Sequence, residues 1–246
     1  MINRIISKAE SLTGIRVYAA SKITERGIDL FADLDANLPR TRIKTVFDVG
    51  ANVGQSATRY AQEYPGAVIH SFEPVASTFA RLSQAVPAGV HCHQIALGAA
   101  QHTGRMVKQG KTEMYYLLGD KPAPAAAALE EVSIDTLDGF CDRHHISRID
   151  FLKIDTEGAD MAVLEGAAGL LRERRIGIIQ VEAGMNSRNT HHVAFAAFMA
   201  YLEPRGYHLF GIYEQWPEWP TREPHLRRTN PVFISDDTIA ANRRQG

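Results

Sequence analysis

Asp48, Gly50, Asn52 and Gly54 fall within one heptapeptide, Asp-Val-Gly-Ala-Asn-Val-Gly, and Glu73 follows 23 residues after Gly50. Glycines in such a turn let backbone amides come close to a ligand, and a helix N-terminus beyond it favours a carboxylate or phosphate. An acidic residue at position 48 suits an ammonium group. A ligand carrying both charges is an amino acid. Glu73 adds a carboxylate that can accept hydrogen bonds from both hydroxyls of a ribose. A second group lies further on: Lys153, Asp155 and Glu157 alternate along one segment, and Glu182, Asn186, His191 and His192 follow. Three chemistries fit this group. Asp155, Glu182 and Asn186 could hold Mg2+ through oxygen ligands alone. A carboxylate, His191 or His192 could remove a proton directly. Alternatively, Lys153 pairs with Glu157 or Glu182 and only ties strand ends together. Tyr213, Trp216 and Trp219 offer flat apolar faces on which a sugar or other ring could stack.

The elements that must carry these residues alternate between two periodicities. Residues 45–49 are a short apolar run entering the glycine turn, and Ala57, Tyr60, Ala61 and Tyr64 mark a helical face after it. Residues 68–72 form a second strand ending at Glu73-Pro74. Val75, Phe79, Leu82 and Val86 supply the next helix, and a third strand is expected from Val90 to Leu97. Residues 104–118 suggest an inserted hairpin and 121–128 a flexible loop. The alternation resumes with a helix from Asp135 to His145 and a strand over 149–154. A helix carrying Leu164 and Leu171, a strand over 176–181 and a helix with Val193, Phe198 and Tyr201 complete it. The last strands, 208–213 and 232–234, have no periodic helix in their 18-residue connection, so they should pair antiparallel. The fold expected is α/β: five βα units followed by an antiparallel pair, which makes a mostly parallel sheet with helices on both faces. In such sheets ligands bind beyond the carboxyl ends of the strands, where every residue above is placed.

Glu73 alone does not choose a cofactor, because NAD binding uses the same carboxylate. The turn does discriminate. It reads Gly50-x-x-x-Gly54 where a dinucleotide turn needs G-x-G-x-x-G, and Asp48 would face a pyrophosphate with the wrong charge. S-adenosylmethionine (SAM), whose methionine part is an amino acid, fits both charges. The motifs Phe47 to Gly54, Phe72-Glu-Pro74, Ile95-Ala-Leu-Gly98, Val132 to Leu137 and Phe151 to Gly158 occur in the order seen in the FkbM family of SAM-dependent methyltransferases, which the chain resembles over about residues 45–235. The resemblance implies a Rossmann-like, seven-stranded, mostly parallel sheet with its last strand reversed, and methyl transfer mostly to hydroxyl oxygens. It also implies that Gly50, Asn52 and Gly54 contact the methionine end, Glu73 the ribose, and Ile95 and Ala96 the adenine. Residues 1–40 lie outside it and read as a helical cap on a catalytic domain of residues 41–246.

Bulk composition narrows the partners. With 27 basic and 28 acidic residues there is no electrostatic footprint for nucleic acid. Cys92 and Cys141 form no C-x-x-C pair, which argues against a disulfide framework and fits a reducing cytoplasm. No run of 18 apolar residues suggests a membrane span. The expected acceptor is a sugar, a glycosylated natural product or another small alcohol, bound by residues 184–192, the 213–225 loop and the N-terminal helices. Homo-oligomerisation stays open. An NAD-dependent oxidoreductase and a non-catalytic nucleotide-binding protein are the rival readings.

Overall fold

The computed structural model describes residues 26–119, 123–124 and 127–243; residues 1–25 of the expected helical cap lie outside them. Helix α1 (Leu30–Asn37) precedes β1 (Thr45–Val49), α2 (Gln55–Glu63), β2 (Val68–Phe72), α3 (Ala76–Ala85) and β3 (Val90–His93). An inserted portion follows: β4 (Ala96–Leu97), β5 (His102–Lys108), β6 (Tyr116–Leu117) and β7 (Ala128–Asp135). The chain then forms α4 (Leu137–Arg143), β8 (Ile149–Ile154), the short helices α5 (Asp160–Glu165) and α6 (Ala168–Arg172), β9 (Ile176–Val181) and β10 (Ala183–Gly184). Helix α7 (Phe195–Leu202), β11 (Tyr207–Glu218), β12 (Glu223–Ser235) and α8 (Asp236–Asn242) complete it. Among the described residues, no helix is long and apolar enough to cross a membrane.

The central sheet runs β3-β2-β1-β8-β9-β12-β11, with β10 continuing β9 along β12. Strands β1, β2, β3, β8 and β9 are parallel, and β12 is antiparallel to both β9 and β11. This is the expected mostly parallel sheet with a reversed last strand. Residues 149–154 and 176–181 are strands to the residue because they are apolar on both faces, the pattern of a strand covered by helices on each side.

The two faces form separate cores. Phe47, Val49, Leu152 and Ile154 face α4 to α7, with Phe140 and Phe198 packed on them. Val46, Ile69, Phe151, Ile178 and Val232 face the other way, against Phe31 and Leu34 of α1 and Tyr60 of α2. Period-2 alternation puts the next residues of that second face in a row: Ser71, Asp48, Lys153 and Gln180 are cross-strand neighbours. A polar layer therefore crosses the sheet just beyond its apolar layer, at the carboxyl ends of the strands.

Three expectations give way. The third strand ends at His93, and Ala96–Leu97 leaves the central sheet to pair with β7. The inserted hairpin is part of a four-stranded sheet, β4-β7-β5-β6, which includes a strand at Ala128–Asp135, between the loop expected at 121–128 and the helix expected from Asp135. Only Val132 and Ile134 alternate there as buried apolar residues after Glu130 and Glu131, too short a pattern to announce a strand. The last connection is not an 18-residue loop: β11 and β12 continue as a long hairpin closed by residues 219–222. Pro217, Pro224 and several register shifts mask it; Pro217 and the shifts are tolerated because β11 is an edge strand.

Phe151 is fully buried and packs on Tyr60 with ring centroids 5.3 Å apart. Phe151→Ala should lower the unfolding free energy by about 3–5 kcal/mol, measured as a shift of the urea midpoint at unchanged slope.

Candidate functional site

Two cavities open at the carboxyl ends of the strands. The first, about 270 Å³, runs over β1, β2 and β8 and is lined by Gly50, Asn52, Glu73, Ile95 and Ala96. The inserted sheet supplies its outer wall through Met106, Tyr115 and Leu117. Sequence reasoning missed that wall, because Met106 is part of a short amphipathic strand whose apolar side could have faced any neighbour.

Gly50 has φ 82°, and a Cβ there would lie 1.8 Å from the carbonyl oxygen of Asp155. Any larger residue would push β1 and β8 apart where the cavity begins. The N–H groups of Gly50 and Ala51 both donate to the Phe72 carbonyl, at 3.1 and 3.0 Å, so they hold the turn against β2 rather than face a ligand. Gly54 lines neither cavity; it packs on Leu82 and Val86 of the neighbouring helix and its end. Asn52 does line the first cavity, and its Oδ1 is buried with no hydrogen-bond partner, an acceptor suited to an ammonium group. Glu73 is buried, and its Oε1 accepts the Val75 N–H at 3.0 Å. Burial pushes its carboxyl up to about 7, with the Val75 and Asn52 amides opposing the shift.

Asp48 does not face this cavity. It shares the face of Val46, is wholly buried, and lies 3.3 Å from Lys153 Nζ. Lys153 also reaches Asp155 Oδ2 at 3.2 Å. Burial alone would favour the neutral amine, but Asp155 and Asp48 outweigh it and hold Lys153 in its charged form. One of the three sequence readings paired Lys153 with Glu157 or Glu182; the strand register instead sets it between Asp48 and Asp155.

The second cavity, about 230 Å³, lies on the α1–α2 side of the polar layer. Its walls are residues 28–31, Arg59 and Tyr60 of α2, Gln180, Tyr213, Glu214 and Asn230. Asn230 donates to Glu214 at 2.9 Å, which leaves its buried Oδ1 without a partner. Tyr213 donates to Asp33 of α1 at 2.9 Å, tying α1 to this wall. Ser56, Lys153 and Asp155 line both cavities. The end of β8 is thus the partition between them.

Beyond the partition lies a cluster of ionisable groups. Oxygens of Asp155, Glu157 and Glu182 fall within 4.8 Å of one another. His191 Nε2 is 2.7 Å from Glu157, and His192 Nε2 is 2.7 Å from the buried Glu182, which also pairs with Arg228. Gly158, at φ 102°, permits this: a Cβ there would meet the His191 carbonyl oxygen at 2.4 Å. Asn186 is absent from the cluster. Its Nδ2 donates to Glu218 and Leu226, and its Oδ1 accepts from the Arg188 and Asn189 amides. The expected oxygen set of Asp155, Glu182 and Asn186 for Mg2+ is therefore not assembled, and Asn186 lines neither cavity. Trp216 and Trp219 are half exposed on the hairpin, with Arg228 and Arg227 over their rings, and line neither cavity. They turn outward because the hairpin extends past the sheet. Of the three expected aromatic contacts, Tyr213 alone reaches a cavity.

A profile described as Methyltransferase FkbM domain matches residues 48–209. A protein named Methyltransferase 1, from Beauveria bassiana (strain ARSEF 2860), is 27% identical over 143 residues, 49% of this chain and 57% of its own. The chain thus spans little more than half the length of that curated relative. Among solved structures, a TehB-like SAM-dependent methyltransferase from Corynebacterium glutamicum aligns over 94% of both chains at 11% identity and TM-score 0.42. TrmK from M. capricolum, in complex with S-adenosyl-homocysteine, aligns over 82% of this chain and 67% of its own, at 8% identity and TM-score 0.46.

Glu73 gives the site a pH signature. With its carboxyl near 7 in the free site, a ligand whose hydroxyls need the carboxylate must displace a proton below that pH. Affinity for SAM, measured by calorimetry, should be about tenfold weaker at pH 6 than at pH 8. Glu73→Gln should bind more weakly and lose that slope. A parental slope in the variant would remove Glu73 from the ribose site.

Proposed function

Because this chain belongs to the FkbM family of methyltransferases, we propose that it transfers a methyl group from SAM to a hydroxyl oxygen of a small polar acceptor. The observation that carries this reading is the pair of cavities meeting at Ser56, Lys153 and Asp155. A donor in one and an acceptor in the other would face each other across the end of β8.

In the first cavity, Asn52 would hold the methionine ammonium, Glu73 the ribose, and Ile95 and Ala96 the adenine. Bound SAM supplies a methyl group on a positively charged sulfur, so that a C–O bond forms as the C–S bond breaks and S-adenosyl-homocysteine leaves neutral. The acceptor hydroxyl loses its proton in the same exchange. Asp155 receives it in this reading, as the carboxylate in the shared wall that Lys153 holds in place at 3.2 Å. In the second cavity, Gln180 and the unpartnered Asn230 Oδ1 supply hydrogen-bonding groups, and Tyr60 and Tyr213 supply apolar faces. That mixture suits a hydroxylated ring, which keeps a sugar or glycosylated small molecule as the favoured acceptor. The volume limits how much of it can be enclosed at once: about 230 Å³ takes one ring rather than a polymer.

Calorimetry separates this reading from dinucleotide chemistry: SAM and S-adenosyl-homocysteine should bind with one-to-one stoichiometry, and NAD should not displace them. Turnover is followed as S-adenosyl-homocysteine release with a panel of sugars and polyols. Asp155→Asn should keep SAM affinity and lose roughly 10²- to 10⁴-fold in turnover. A folded Asp155→Asn protein with the parental rate removes Asp155 as the proton acceptor.

A further inference from the structure

Residues 185–192 fold back from β10 toward the end of β8. Asn189 in this loop is buried, and its surroundings define which way its amide lies. Oδ1 accepts the backbone N–H groups of His191 and His192, each at 3.2 Å, and Nδ2 donates to the Arg227 carbonyl at 3.0 Å. The remaining neighbour of Oδ1 is His192 Nδ1, at 3.0 Å. Since Oδ1 has no proton to give, His192 must donate from Nδ1. In the neutral ring, Nε2 then carries a lone pair.

That lone pair faces Glu182 Oε2 at 2.7 Å and Glu157 Oε2 at 3.7 Å. Glu182 Oε2 is buried and accepts no hydrogen bond, while Arg228 engages the other oxygen of the same carboxylate. Lone pairs held this close repel unless a positive centre lies among them. The histidine arrangement is the one found at metal sites, where the outer ring nitrogen donates to a fixed acceptor and the inner one binds the ion.

We propose that Glu157, Glu182 and His192 form a site for a divalent transition cation at the rim of the first cavity, with Asp155 beside it. Ligand atoms about 2.1 Å from one ion stand about 3–3.5 Å apart, within reach of this cluster by small rotamer shifts. The nitrogen ligand favours Mn2+, Fe2+, Co2+ or Zn2+ over Mg2+, which prefers oxygen alone. Glu157 and Asp155 line the first cavity, so an ion here would sit beside the methyl donor, next to the carboxylate of Asp155 that both cavities share. That proximity to a donor rests on the methyltransferase reading; the site itself does not.

The test uses the full chain, dialysed against a chelator and then against buffer, with Mn2+ alone as the probe. Equilibrium dialysis followed by electron paramagnetic resonance should find about one bound Mn2+ per chain, and the Co2+ form should show a visible band with nitrogen ligation. Glu157→Gln and His192→Gln should each weaken Mn2+ binding at least about tenfold while keeping the parental circular dichroism. If the parent takes up no stoichiometric Mn2+, or both folded variants bind it as the parent does, the metal site is wrong. His192 is then a protonated bridge between Glu157 and Glu182. SAM calorimetry on the same dialysed protein keeps the two readings apart. SAM binding without metal uptake overturns this site alone, and metal uptake without SAM binding supports it while overturning the methyltransferase reading.

Discussion

Lys153 is a cation buried beneath the functional site, and much of the architecture around it follows from keeping that charge paired. An unpaired ammonium in a protein interior costs several kcal/mol, so its partners must stay within contact distance. Asp48 on β1 and Asp155 at the end of β8 are those partners, at 3.3 and 3.2 Å. The pairing sets β1 and β8 in register at their carboxyl ends and brings the Asp155 carbonyl onto Gly50. It also places the Asp155 carboxyl where both cavities can reach it.

The parallel core was readable because its strands are apolar on both faces and its turns carry glycine at the carboxyl ends. Residues 149–154 and 176–181 had only one plausible use. Glu73 was placed by its strand end and Ile95 and Ala96 by the family resemblance, and all three line the first cavity. The direction of Asp48 was also written in the sequence, since it shares the parity of Val46, but a motif reading treats a strand-end acid as a ligand contact. Side-chain partners were harder. Nothing in the spacing of Asn186 says that its amide closes a loop, or that Asn189 orients His192. The hairpin was hidden because prolines and bulges erase the alternation that identifies a strand, and β7 because most of its length is solvated.

The inserted sheet and α1 play matching parts on opposite sides of the partition. Met106, Tyr115 and Leu117 complete the first cavity from residues that come after β3. Ile28 to Phe31 complete the second from residues that come before β1. The doubly wound sheet supplies the floor common to both, and each addition supplies one wall. Changes in these two additions can alter what is enclosed without disturbing the polar layer beneath, which is a general way for one scaffold to serve many chemistries.

Among the described residues, β11 is one of the two longest strands, and it borders the central sheet on its outer side. A flat strand in that position would be a template on which a second polypeptide could lengthen the sheet, the first step toward fibrous aggregates. Pro217 lacks an amide proton to offer, Glu214 sits at φ 48°, and the pairing slips at four places between Leu209 and Glu218. The irregularities that concealed this strand from sequence patterning also make its outer side a poor template for a further strand.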